Sequence, residues 1–297
     1  NSLMMISGVF LLLARALTSI RRVREVLDER PAISSAEGAA TTVADGSVVF
    51  DHVSFKYHAD ARKDVLEDIS LSFPAGSTIG VLGATGSGKS SLVQLVARLY
   101  DVSSGSVRVG GRDVRDYDLA ALRDAVGVVL QRSVLFSGTV RDNLRWGNPD
   151  ATDAELLEAC RIACADEFLE RIGGLDADLG QGGDNVSGGQ RQRLSIARTL
   201  LKRPKVLVFD DSLSAVDMAT DARIRAGLAG LADVTKITVA QRVNSVMDCD
   251  QIVILDDGCV HAVGTHAELL ASDPIYQELY ESQIGSGIHG ERVVDGC

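Results

Sequence analysis

Gly83-Ala84-Thr85-Gly86-Ser87-Gly88-Lys89-Ser90 is the stretch on which the reading of this chain turns. It follows an apolar run, Thr78-Ile79-Gly80-Val81-Leu82, that reads as a buried strand, and it opens a helical pattern from Ser91 to Leu99. The glycines therefore sit at a strand-to-helix turn. Glycine lets the backbone curl round a phosphate chain with several N–H groups pointing inward, and the start of the helix adds its positive dipole end. In such a loop Lys89 reaches the terminal phosphates and the Ser90 hydroxyl binds magnesium. The plain alternative is a glycine-rich surface turn, and the strand before and helix after the loop count against it.

The chain has 297 residues, enough for one large domain or two modest ones with a sizeable core. Its formal net charge of −11 opposes a grip on a nucleic-acid backbone, because counterion release needs clustered Lys and Arg. A nucleotide-sized anion is still accommodated by a locally positive pocket. The five cysteines are unevenly spaced and make no disulfide framework. Cys160 and Cys164 lie four apart on an expected helix and could supply half a metal site, but no matching pair is evident, so buried thiols are the expectation.

At the N-terminus, where Asn1 stands instead of Met, Leu3 to Ala14 is a nearly pure apolar run ending at Arg15. About twelve apolar residues fall short of the roughly 20 that span a bilayer. The basic residues Arg15, Arg21, Arg22 and Arg24 follow the run, the order expected for the cytoplasmic end of a truncated transmembrane helix and the reverse of a signal peptide. An amphipathic helix on a soluble core is the alternative. Small and polar residues from Ala32 to Gly46 read as a linker.

Val48 to Phe50, Val53 to Phe55 and Ile69 to Phe73 read as strands of an antiparallel sheet, with Tyr57 placed to stack on a base. A lone Tyr is more often a packing residue, so its company decides. Further strands are expected at Ser106 to Val109 and at Val126 to Leu130, the latter ending at Gln131. A capping box, Thr152-Asp153-Ala154-Glu155, then opens a helix, and another runs from Glu167 to Ile172. These suggest a helical insertion, closed by the glycine-rich Gly180 to Asn185. Val186-Ser187-Gly188-Gly189-Gln190 leads into a helix from Arg191 to Leu201, its capping-box spacing and paired glycines marking a second anion site at a helix start. A glycine-rich cap with no ligand is the alternative. Lys205 to Phe209 is an apolar strand ending in Asp210 and Asp211, where such proteins place a magnesium-binding Asp and a water-orienting acid. Ser214-Ala215-Val216-Asp217 follows. Strands Lys236 to Ala240, ending at Gln241, Gln251 to Leu255 and Cys259 to Val263 close the sheet; His266 lies in the box Thr265-His266-Ala267-Glu268 and is expected to be a solvated first-turn residue. No internal repeat appears, and Gly285 to Cys297 reads as a disordered tail.

With these motifs in this order, the stretch from Ala44 to about Gln283 resembles the nucleotide-binding domain of an ATP-binding cassette (ABC) transporter, exporter branch. Ser187-Gly188-Gly189-Gln190 followed by Arg191-Gln192-Arg193 is the most specific element of the likeness. The resemblance implies an α/β fold: a P-loop NTPase (RecA-like) core with an antiparallel β subdomain and an inserted helical subdomain at about 136–200, preceded by the end of a transmembrane helix. It divides the chain into a helix end at 1–30, a linker at 31–44, the nucleotide-binding domain at 45–284 and a tail at 285–297. It makes Tyr57 the adenine-stacking aromatic, and Gly83, Ala84, Thr85, Gly86, Ser87, Gly88, Lys89, Ser90 and Ser91 the phosphate cradle. Ser90, Gln131 and Asp210 become the Mg2+ ligands, with Gln131 linking magnesium and attacking water to the membrane part. Ser187, Gly188, Gly189 and Gln190 would contact the γ-phosphate of ATP held by the opposite subunit, and Asp217 would belong to the loop crossing that interface.

Two positions depart from the family's pattern. Asp211 stands where a Glu usually orients or deprotonates the attacking water, and Gln241 where a His usually contacts the γ-phosphate. Gln181 and Gly182 also replace a Glu-Arg pair usual before the exporter signature. The likeness thus implies an ATP-binding, membrane-associated exporter subunit with its nucleotide domain on the cytoplasmic side, working with a different partner subunit and hydrolysing slowly at its own site, where Asp211, Gln131 and Gln241 are the catalytic candidates. The alternatives are a soluble cassette ATPase acting on nucleic acid, which the acidic charge disfavours, and a regulatory clamp that uses ATP only to dimerise.

Overall fold

The computed structural model describes residues 2–212 and 216–284. Ser214, Ala215 and the segment 285–297 lie outside the described residues. Two units are distinguished, one up to Ser34 and one from Ser35. The first is dominated by helix α1 (Ser2–Leu27), whose 26 residues are all exposed. The helix runs well past Arg15, and an 18-residue window with a mean hydropathy of 2.0 makes it long and apolar enough to cross a membrane. The apolar run Leu3 to Ala14 is shorter than a span on its own, and the helix continues past it through Ile20, Val23 and Leu27, as their helical spacing toward Pro31 implies.

In the second unit, β1 (Val48–Phe55) pairs antiparallel with β2 (Leu66–Phe73), and on its other side with β4 (Ser104–Val109), which follows β3 (Thr78–Leu82) and helix α2 (Lys89–Val96) in the chain. A short β5 (Arg112–Asp113) completes a four-stranded sheet in the order β2-β1-β4-β5. The two strands expected at Val48 to Phe50 and Val53 to Phe55 are one strand. Its register shifts between Phe50 and Val53, and His52 at that point has φ +49°. The irregularity interrupts the pairing and so hides the continuity in the sequence pattern.

Beyond α3 (Leu119–Ala125) and β6 (Val126–Val129) come helices α4 (Val140–Arg145), α5 (Asp153–Ile162), α6 (Asp166–Ile172) and α7 (Gly188–Leu200). Thr139, Thr152 and Ser187 form capping boxes for α4, α5 and α7, each satisfying helix N–H groups that would otherwise lack partners. Because Ser187 is the cap, α7 begins at Gly188, three residues ahead of the expected start. The chain then adds β7 (Val206–Asp210), α8 (Met218–Ala229), β8 (Thr235–Val239), β9 (Gln251–Asp256), β10 (Cys259–Gly264), α9 (His266–Ser272) and α10 (Pro274–Ile284).

These strands form a six-stranded sheet in the order β10-β9-β3-β8-β7-β6. All neighbours run parallel except β9 with β10. Every residue of β7 and β8 is buried, as expected of strands covered on both faces. The side-chain alternation of β7 shows why. Val206 and Val208 enter one core with Ile79, Val81 and the α2 residues Leu92 and Leu95, while Leu207 and Phe209 enter another with Leu156, Phe168 and Leu194 of the inserted helices. In β9, Val253 and Leu255 join the first core, and Ile252 and Ile254 join a third with Leu269 of α9 and Tyr276 of α10. His266 is half-buried, its Nδ1 2.7 Å from the Tyr276 hydroxyl, which replaces the solvated position expected for it.

Candidate functional site: a phosphate cradle at the strand ends

The candidate residues gather at the carboxyl ends of the parallel strands, the edge where α/β sheets bind ligands. β3 delivers Gly83 to Gly88, β7 delivers Asp210 and Asp211, β8 delivers Gln241, and Gln131 lies just past β6. The strand order puts β8 between β3 and β7, so Gln241 emerges between the glycine loop and the two carboxylates.

The loop has the geometry of an anion cradle. Gly86 and Gly88 have φ of +87° and +97°, the left-handed region that glycine enters without steric cost. A Cβ on Gly83 would lie 2.2 Å from the Leu255 carbonyl oxygen, so the tight first turn excludes any side chain there. Helix α2 starts at Lys89 with no side-chain cap, unlike α4, α5, α7 and α9. Its first N–H groups are left for an anion. The buried Ser87 hydroxyl has no hydrogen-bond partner, the kind of unsatisfied group that a phosphate oxygen would complete. Lys89 Nζ donates to the carbonyls of Gly83 and Ala84, each at 2.7 Å, and spans the loop. Burial pushes its pKa down, against the pull of Asp211 and Asp210.

Ser90 Oγ donates to Asp210 Oδ1 at 2.7 Å. Hydroxyl and carboxylate oxygens are the hard donors that suit Mg2+, so the pair fits a magnesium ion. Burial raises the Asp210 pKa, with the Ser90 hydrogen bond acting the other way. Asp211 follows with φ +49°, its backbone N–H held by the Val239 carbonyl at 3.1 Å. Its Oδ2 accepts from Gln131 Nε2 at 3.1 Å and from Gln241 Nε2 at 2.9 Å. The two positions that depart from the family's pattern are therefore in direct contact.

Tyr57 joins the same region. Its hydroxyl shares a 2.8 Å hydrogen bond with Ser91 Oγ, and its ring meets Phe55 and Tyr100 edge-on at 4.9 and 5.0 Å. Tyr57 and Tyr100 are both partly exposed, and Tyr100 was not anticipated from sequence, where nothing near it marks a site. Ser187 to Gln190 stand apart. Ser187 Oγ accepts from Gln190 N at 3.3 Å while Gln190 Oε1 accepts from Ser187 N at 2.9 Å, and among the described residues no hydrogen bond joins this segment to the glycine loop. The Ser187 hydroxyl proton remains available to a second acceptor. A Cβ on Gly188 would meet nothing within 4 Å, so the approach to this helix start is open. Asp217 caps α8 by accepting from Thr220 N at 2.9 Å. Cys160 and Cys164 are buried thiols, and no cluster of three or more His, Cys, Asp or Glu side chains that could hold a metal ion is found among the described residues.

Residues 66–214 match the ABC transporter family. The chain belongs to that family. It is 44% identical over 288 residues to an uncharacterised ABC transporter ATP-binding protein of Mycobacterium tuberculosis, covering 95% of this chain and 49% of the relative. A Staphylococcus aureus protein named for multidrug export, as an ATP-binding/permease protein, is 39% identical over 264 residues, 88% of this chain and 46% of that one. Among solved structures, a bacterial Atm1-family ABC exporter with ATP bound superposes with a TM-score of 0.86 at 34% identity, over 91% of this chain and 48% of the exporter. The chain spans about half the length of each of these relatives. Its matched relatives are named as ATP-binding proteins, and two of them as exporters.

Proposed function

We propose that this ABC domain is the ATP-binding half of a heterodimeric membrane exporter, binding Mg-ATP tightly at its own site and hydrolysing it slowly there. The contact between Asp211 and Gln241 carries the reading. The exporter-type relatives support the membrane context, in which α1 is the end of the last transmembrane helix, residues 45–284 are the nucleotide-binding domain and the site faces the cytoplasm. The transported substrate is recognised by membrane helices.

In this reading Gly83 to Ser91 wrap the phosphates, Tyr57 stacks on adenine, and Lys89 exchanges its loop carbonyls for a terminal phosphate oxygen. Ser90 and Asp210, with Gln131, hold Mg2+, which when bound neutralises charge on the phosphate oxygens. Asp211 orients the attacking water, but it is one methylene shorter than Glu. Gln241 offers an N–H donor without the positive charge a protonated His brings to the transition state. Binding groups are thus present while the hydrolytic ones are weakened. In a homodimer both shared sites would carry this weakness. In a head-to-tail heterodimer, Ser187, Gly188 and Gly189 complete the partner's site, with Asp217 at the interface between the two.

The test is made in the co-expressed complex. Ser187→Arg should cripple total ATPase activity, because it blocks the partner's site, whereas Asp211→Asn should do far less. Greater damage from Asp211→Asn, or normal transport by this polypeptide without a partner, refutes the proposal.

A further inference from the structure

The segment that carries Gln241 is gripped from the far end of the domain. Gln283, on the last helix α10, bridges its backbone: Gln283 Nε2 donates to the Gln241 carbonyl at 3.0 Å, and Gln283 Oε1 accepts from Val243 N at 2.8 Å. A carbonyl can only accept and an N–H can only donate, so the two partners fix the orientation of the Gln283 amide.

The rest of the segment is pinned by packing. Val243 and Val246 are fully buried with Leu269 of α9 and Tyr276 of α10. Gly80 of β3 lies so close beneath that a Cβ there would stand 2.5 Å from Val246 Cβ, which blocks movement toward the sheet. Helix α10 is capped by Asp273, whose Oδ1 accepts from Tyr276 N at 2.7 Å, and it is tied to α9 by the Tyr276 hydroxyl at His266 Nδ1 and by Gln277 Nε2 donating to the Leu270 carbonyl at 2.8 Å. From this anchored helix a run of hydrogen bonds reaches the reacting region, through the Gln283 amide to the Gln241 backbone, and through the Gln241 side chain to Asp211 Oδ2, which Gln131 also holds.

We infer that Gln283 is a positioning residue: its side-chain amide clamps the backbone of Gln241 and Val243, and so sets where the Gln241 side chain stands relative to Asp211 and the γ-phosphate. The inference rests on the reading of Asp211 and Gln241 as the chemistry of this site. It gives α10 a function beyond closing the third core. Displacing that helix would loosen the γ-phosphate contact without touching the glycine loop, so hydrolysis and ATP affinity respond separately.

The test uses the full polypeptide with its partner, in the parent and in the Asp211→Glu/Gln241→His background where hydrolysis at this site is measurable. Gln283→Ala removes both hydrogen bonds. It should raise amide hydrogen exchange at Val243 about tenfold, the effect of losing one or two neutral hydrogen bonds. In the hydrolysing background it should lower kcat by about tenfold with KM for ATP unchanged, as a small misplacement of a catalytic group does. Gln283→Glu keeps the acceptor for Val243 but sets a carboxylate against the Gln241 carbonyl, so kcat should fall while Val243 stays better protected than in the Ala variant. Unchanged Val243 exchange in Gln283→Ala, or a raised KM with unchanged kcat, overturns the clamp. Should the Asp211→Glu/Gln241→His background gain no hydrolysis, the reading of those two residues fails, and Val243 exchange alone decides the role of Gln283.

Discussion

If the proposed reading of Asp211 and Gln241 holds, a longer carboxylate and an imidazole at these two positions should raise hydrolysis at this site. The perturbation is Asp211→Glu with Gln241→His. Asp is one methylene shorter than Glu, which would hold its carboxylate back from a bound γ-phosphate, and a misplacement of about 1 Å costs on the order of a hundredfold in rate. That is about 2.7 kcal/mol of barrier. Removing one electrostatic donor from a transition state costs about 10² to 10³, which sets the scale for the charge that Gln241 lacks. The two side chains share a hydrogen bond at Asp211 Oδ2, so the two gains should not multiply in full. The expected increase in single-turnover hydrolysis at this site is about 10² to 10³, with ATP affinity little changed. Position 211 has φ +49°, a region Asp enters more readily than Glu. The double variant should therefore lose about 1 kcal/mol of stability, or about 2 to 4 °C in Tm for a domain of this size. The assay is hydrolysis of pre-bound labelled ATP in the co-expressed complex, with the partner's own site inactivated. A folded double variant that binds ATP but gains nothing refutes the assignment of the defect to these side chains.

Lys89→Ala should abolish binding of labelled ATP while leaving the domain folded, because among the described residues Nζ donates its hydrogen bonds to the loop carbonyls of Gly83 and Ala84. Binding as tight as the parent's would remove the loop from the site. Gly83→Ala should lower stability by more than about 1 kcal/mol in urea unfolding, since its Cβ would meet the Leu255 carbonyl oxygen at 2.2 Å; an unchanged midpoint contradicts that geometry. Burial pushes the Cys160 thiol up to about 12, and Cys259 is exposed. Alkylation at neutral pH followed by mass spectrometry should thus modify Cys259 in the native protein and reach Cys160 only after denaturation, and equal native rates would exclude a tightly packed Cys160.

Much of the site was legible along the chain because its signals are local. The glycine loop between an apolar run and a helix, and the capping boxes at Thr152, Ser187 and Thr265, each depend on residues within three or four positions of one another. Asp211 and Gln241 could be placed by their positions at strand ends, and the resemblance to the ABC pattern marked them as departures. Their contact was not legible. It follows from β8 inserting between β3 and β7, and apolar strands such as Val206 to Asp210 and Thr235 to Val239 carry no address for a neighbour so far away in sequence. Register and order arise when the alternate faces of each strand are shared among the three cores. The grip of Gln283 on the Gln241 backbone has the same origin. Nothing in the sequence singled out Gln283; packing of Tyr276, Val243 and Val246 into one core brings its amide to the site.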